Sequence, residues 1–154
     1  MARIGWFVPF HRTLRNYDRV LASVWIRCLE LIRPLRELGY GSVVNRPWAP
    51  MDIAVFLRVQ GVWAQRLQRY LQWRGVRTVF DVVVNYYEPS VVTEGSSQVV
   101  SRRQVADCIR MSQAADAVIA ASEYIRSRAE RYNPSAYYVP DTVTRAHFRL
   151  SKPE

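Results

Sequence analysis

The side chains best placed to bind or activate a ligand follow the ends of apolar runs. His11 and Arg12 come just after Arg3-Ile-Gly-Trp-Phe-Val8, and Arg58 closes Asp52-Ile-Ala-Val-Phe-Leu-Arg58. Asn85, Tyr86 and Glu88 follow the β-branched run Val76–Val84, and Ser122 and Glu123 follow Ala117–Ala121. Arginines such as Arg12 and Arg58 can assist a phosphate or another anionic ligand. A histidine can hydrogen-bond or shuttle a proton near neutral pH. A carboxylate among Asp81, Asn85 and Glu88 can orient a hydroxyl, and Tyr86-Tyr87 offers stacking surfaces for a sugar ring or a base. Each residue also has a plain structural use. An exposed arginine is usually solvated or ion-paired. Asp81 and Glu88 can cap a helix or tie down a loop, Tyr86 and Tyr87 suit packing, and capping accounts for Ser122 fully.

Other chemistries lack their signatures. There is no G-x-G-x-x-G or Walker A match, so no phosphate cradle follows from a glycine-rich loop. Cys28 and Cys108 fall in predicted helices without C-x-x-C spacing, which points to two reduced, partly buried thiols. No metal site and no cofactor are expected. The balance of 22 basic to 13 acidic residues, a net charge of +9, favours an anionic partner: nucleic acid, an acidic membrane surface or a phosphorylated substrate. No helix-turn-helix, zinc-finger or RNP motif accompanies that charge, which leaves nucleic acid the weaker choice. The arginines, Arg27 and Arg66 among them, are expected on solvated helix faces, where their stems cover apolar surface.

These groups need elements to hold them. The length predicts a single domain over 1–154. Short apolar strands are expected at 3–8, 42–45, 52–58, 76–84, 117–121 and 136–139. Helices are expected near 21–38, 61–73, 99–115 and 123–131, with Pro34 kinking or dividing the first and Gly75 stopping the second. Val62, Leu67, Tyr70 and Leu71 are placed inward on the second helix. Trp25 and Trp63 fall on apolar faces and are expected in the core, whereas Trp48, in a loop between Arg46 and Pro50, is expected to be exposed. Strands apolar on both faces, alternating with helices, imply an α/β fold: a doubly wound, mostly parallel sheet with helices on both faces, Rossmann-like. Ligands of such sheets bind beyond the carboxyl ends of the strands, so Asn45 and Asp141 join the residues above. No apolar run is long enough to span a bilayer, and the early Arg3, Pro9 and Arg12 do not suit a signal peptide. A cytoplasmic location follows as an expectation, with peripheral contact to the inner face of the membrane left open.

Four segments, in order, resemble the N-terminal domain of GT-B glycosyltransferases of the large retaining group. Leu35-Arg-Glu-Leu-Gly-Tyr-Gly41 is similar to the "L-x-x-x-G-H" before the second strand. Asp52-Ile-Ala-Val-Phe-Leu-Arg58 and the later Gly75-Val-Arg-Thr-Val-Phe-Asp81 resemble "D-V-V-x-x-x-R … G-x-x-V-x-x-D". Ala115-Asp-Ala-Val-Ile-Ala-Ala-Ser-Glu-Tyr-Ile125 resembles "A-D-x-V-x-x-x-S-x-x-L", and Val139-Pro-Asp-Thr-Val143 the domain-crossing "V-I-P-N-G-V". The resemblance implies the acceptor-side half of a sugar transferase that uses a nucleotide-sugar donor. His11, Arg12, Arg58, Asn85, Tyr86, Glu88, Ser122 and Glu123 would bind substrate. The family's glycine-rich turn after the first strand is replaced by Pro9-Phe-His-Arg-Thr. Its donor-binding C-terminal domain has no counterpart, so activity would depend on a separate donor-domain chain, with a homo-oligomer as the other assembly. The acceptor would be a saccharide or a lipid-linked saccharide. The competing expectation is a non-catalytic Rossmann-like module for an anionic ligand, nucleic acid or protein.

Overall fold

The computed structural model describes residues 1–9, 21–89 and 99–141. Six strands form one all-parallel sheet: β1 (Arg3–Phe7), β2 (Gly41–Val44), β3 (Ile53–Leu57), β4 (Arg77–Val82), β5 (Ala117–Ala120) and β6 (Ala136–Tyr138), in the order β2-β1-β3-β4-β5-β6. The helices are α1 (Ala22–Val24), α2 (Glu30–Glu37), α3 (Val62–Trp73), α4 (Arg102–Ala114) and α5 (Glu123–Ala129). The fold is α/β and Rossmann-like, with helices on both faces of the sheet.

Strand alternation assigns the two faces. Phe7, Ala54, Phe56, Phe80, Val82, Val118 and Ala120 point one way and pack on Ala64, Leu67 and Leu71 of α3, Cys108 and Met111 of α4, and Ile125 and Ala129 of α5. The Phe7 and Phe56 rings stack at 5.0 Å. Ile4, Trp6, Val8, Val55 and Leu57 point the other way, onto Val24, Cys28, Leu31 and Leu35. Between β2 and β3 the chain has only residues 45–52 in which to return past β1. On that crossing the Met51 side chain lies over Gly5: a Cβ there would lie 2.3 Å from Met51 Sδ, so a larger residue would make the flexible end of Met51 move aside.

Local chemistry sets the helix ends. Gly39 and Gly75, at φ +87° and +80°, terminate α2 and α3, and Val76 N–H returns to the Leu71 carbonyl at 3.0 Å. Ser101 and Gln104 form a reciprocal capping box on α4, and Ser122 caps α5 through Ile125 N–H at 3.2 Å. Asp116 fastens the start of β5 to β4 by accepting from Thr78 N–H at 2.8 Å.

Three expectations are corrected. Pro34 sits inside α2 without dividing it. The irregular turn lies earlier, at Trp25–Leu29, which is wound as a π-helix and closes where Glu30 N–H meets the Trp25 carbonyl. Pro34 has no N–H to donate to the Glu30 carbonyl, so one helical hydrogen bond is missing just after the wide turn ends. On α3 the buried stripe is Ala64, Leu67, Gln68 and Leu71. Val62, Trp63 and Tyr70 are therefore exposed rather than inward, because helical spacing turns them away from that stripe. Arg27 is buried, not solvated.

Both cysteines are fully buried free thiols. Burial, reinforced at Cys28 by the charge of Asp81, pushes the Cys28 thiol up to about 12. Burial likewise takes Cys108 to about 12, against hydrogen bonds from Tyr87 and Ser112. With so little thiolate present, the native protein should resist iodoacetamide at mildly alkaline pH and take up two adducts only when unfolded. Intact-mass spectrometry reads this directly, and fast native labelling of either thiol would contradict the packing.

Candidate functional site

The strand order reverses at β2-β1-β3, and the carboxyl ends of β1 and β3 form the switch point at which such sheets bind ligands. A crevice of about 590 Å³ lies there, lined by Val8, Asn45, Pro47, Trp48, Val59 and Trp63. The backbone around it departs from ordinary strand geometry. Asn45 and Arg58, the first residues beyond β2 and β3, take left-handed conformations at φ 49° and 57°. Asparagine tolerates that region, whereas arginine is strained in it, and such strain gathers at binding sites. Asn45 is bound on both sides: its N–H reaches the Trp6 carbonyl at 2.8 Å and its Oδ1 accepts from Val8 N–H at 3.0 Å. Its Nδ2 is buried without a hydrogen-bond partner among the described residues, as is Oε1 of Gln60 beyond Val59. Trp48 is 75% exposed and Trp63 59%, so two indoles border the opening.

A second cavity, of about 240 Å³, lies on the α1–α2 side of the sheet, lined in part by Trp6, Ile26, Arg27, Asp81, Ile119 and Val139. Its polar wall is an ion pair. Arg27 Nε donates to both oxygens of Asp81, at 3.0 and 2.9 Å, and Nη1 donates to the Val139 carbonyl and to Asp141 Oδ1 at 2.9 and 2.8 Å. Arg27 and Asp81 are 5% and 3% exposed. Burial works against the Arg27 charge, yet the hydrogen bonds and charges of Asp81 and Asp141 outweigh it and raise its pKa. Burial also pushes the Asp81 carboxyl up, with Arg27 opposing. These bonds occupy the carboxylate, which leaves it a positioning role.

The residues singled out in the sequence separate into groups. His11 and Arg12 lie outside the described residues. Arg58 borders the β3 end, with Nη1 on Ser23 Oγ at 3.0 Å, and its N–H meets the Asp81 carbonyl at 3.3 Å. Asn85 and Glu88 do come together, Nδ2 to Oε2 at 3.3 Å, but Glu88 also accepts from Tyr124 Oη at 2.8 Å and pairs with Arg128 at 2.7 Å. The Tyr124 hydroxyl first, then Asn85 and Arg128, hold the Glu88 carboxyl below its ordinary range despite some desolvation. That acid ties the β4 loop to α5. Tyr86 and Tyr87 are buried, Tyr87 stacked on Tyr132 at 5.7 Å, so neither offers a stacking face. Ser122 caps α5, and Glu123 pairs with Arg126 at 2.5 Å.

Trp63 and Arg27 were missed. Trp63 belongs to a helix with more apolar residues than one stripe can bury. For Arg27 a signal existed: it lies between Val24 and Cys28 on the apolar stripe, and Asp81 interrupts a β-branched run, so each implied a buried partner. Among the described residues no cluster of histidine, cysteine or acidic side chains could hold a metal ion, and no helix is long and apolar enough to cross a membrane. Comparison of the chain with models of protein families and with curated proteins gives no match.

Removing one partner of a buried pair strands the other charge. Arg27→Met should therefore cost about 3–5 kcal/mol in urea unfolding, and Arg27→Met/Asp81→Asn much less than the sum of the single variants. The pH dependence has a definite sign. Without Arg27 the folded-state pKa of Asp81 rises further above its unfolded value. The deficit is then smallest below the ordinary aspartate range and grows as pH rises through the folded value. Additive single variants, or a deficit independent of pH, would remove the pair from this role.

Proposed function

We propose that the chain binds a saccharide ring in the crevice between Trp48 and Trp63, and serves as the acceptor-side half of a GT-B-like glycosyltransferase. The supporting observation is two exposed indoles lining one crevice at the reversal of strand order, together with Asn45, whose buried Nδ2 has no partner among the described residues. An indole face stacks on the apolar face of a sugar ring, and an amide N–H that lacks a protein acceptor suits a sugar hydroxyl. None of the described residues that line it is charged. That favours a neutral acceptor over the diphosphate of a nucleotide sugar, whose departure needs cations or helix N-termini. Sugar transfer would then require a donor-binding domain beside this one, and the role of this half is to hold an acceptor hydroxyl in place.

Titration of the chain with neutral oligosaccharides, free nucleotides and nucleotide sugars, followed by calorimetry and tryptophan fluorescence, tests this. Saturable binding of a neutral saccharide is expected, with Trp48→Ala weakening it about tenfold, the scale of one aromatic stack. Because Trp48 is exposed, that variant should keep the thermal midpoint of the parent. Exclusive binding of nucleotides, or undiminished saccharide binding by Trp48→Ala, would overturn the proposal.

A further inference from the structure

The outward face of α3 has a composition unusual for a solvated helix. Val62, Trp63, Arg66, Arg69, Tyr70 and Trp73 recur at three- and four-residue spacing, and all are exposed, Trp73 at 82%. The opposite face is fully used by Ala64, Leu67, Gln68 and Leu71. Three aromatic rings and a valine therefore stand in water for no packing reason. Tyr70 lies 6.2 Å from the Trp73 ring, with the Arg74 guanidinium 5.7 Å from its own ring centre. This joins the two rings and a cation into one patch at the end of the helix. No acidic residue occurs between Asp52 and Asp81, whereas Arg58, Arg66, Arg69, Arg74 and Arg77 all do.

We infer that this face of α3 docks flat on a membrane surface rich in anionic phospholipid. Tryptophan and tyrosine settle at the level of the headgroups, with the ring in the acyl boundary and the polar edge in water. Arg66 and Arg69, on the same stripe, meet the lipid phosphates, and a net charge of +9 draws the chain to such a surface. The helix extends only about 18 Å, too short to span a bilayer, so it lies in the interface. The interleaving of rings and a valine with the arginines favours a bilayer over a nucleic acid, which would use the cations and leave Val62 and Trp73 in water. The inference does not rest on the saccharide proposal: Trp63 belongs to both surfaces, but the residues that decide the test, Trp73, Arg66 and Arg69, are not among those that line the crevice.

The test is co-sedimentation of the full chain with vesicles of phosphatidylcholine, alone or containing about one third phosphatidylglycerol. Binding is expected to the anionic vesicles only and to weaken with salt. Trp73→Ser and the double variant Arg66→Gln/Arg69→Gln should each lower affinity at least about tenfold, with an unchanged thermal midpoint. Lipids brominated in the acyl chains should quench the parent's fluorescence more than that of Trp73→Phe. Three results would overturn the inference: no binding to anionic vesicles, equal binding by Trp73→Ser, or displacement by duplex DNA with no loss of binding in Trp73→Ser.

Discussion

Arg27 holds together three parts of the chain that sequence keeps far apart. Its guanidinium leaves the π-helical turn, takes both oxygens of Asp81 at the end of the central strand β4, and continues to Val139 and Asp141 beyond β6. A buried ion pair contributes little net stability compared with apolar side chains of the same volume, because both ions give up water. What it does supply is direction. An apolar substitute could fill the space, but it could not specify that the segment leaving β6 runs beneath the first helical region. The carboxyl-end surface thereby has fixed borders on the side where no helix follows β6 among the described residues.

The crevice arises from the crossing between β2 and β3. Reversal of strand order obliges residues 45–52 to return past β1 in a short path, with the Met51 side chain lying over Gly5. The same path leaves Asn45 left-handed, with its amide turned between the β1 and β2 ends, and puts Trp48 on the surface. The other wall comes from the first turn of α3, where Trp63 is one residue past the start of the helix. Each feature serves the backbone, and together they make an apolar opening with a polar floor.

The sheet was legible because strands buried on both faces leave short, β-branched, continuous apolar runs, here alternating with longer segments of helical spacing. The helix ends were legible where one residue decides them: Gly75, which alone relieves a left-handed turn, and Ser122, whose hydroxyl replaces a missing helical acceptor. The face of α3 was not. Seven of its residues are apolar or aromatic, more than one stripe accepts. The buried set includes Gln68, whose amide finds the Met111 carbonyl at 3.3 Å, so polarity misdirects the reading. Arg27 was concealed in the same way, because its partner lies fifty-four residues away. Glu88 and Asn85 were correctly placed at a strand end, but position says nothing about whether a side chain is free. Three contacts from Asn85, Tyr124 and Arg128 occupy that acid.

Trp63 lies on both surfaces for which binding is proposed: it lines the crevice, and it belongs to the exposed stripe of α3. One indole cannot occupy two rotamers at once. Stacking on a sugar and settling among lipid headgroups each fix that ring in one orientation. The two equilibria are therefore coupled through a single side chain, and coupling between binding sites is reciprocal: whatever factor a bilayer imposes on ligand affinity, the ligand imposes on bilayer affinity. If the two rotamers coincide, docking prepares the crevice and the acceptor is best one carried in the membrane. If they differ, the ligand releases the protein from the surface. Trp63 is the residue at which a change would alter both proposed binding equilibria together.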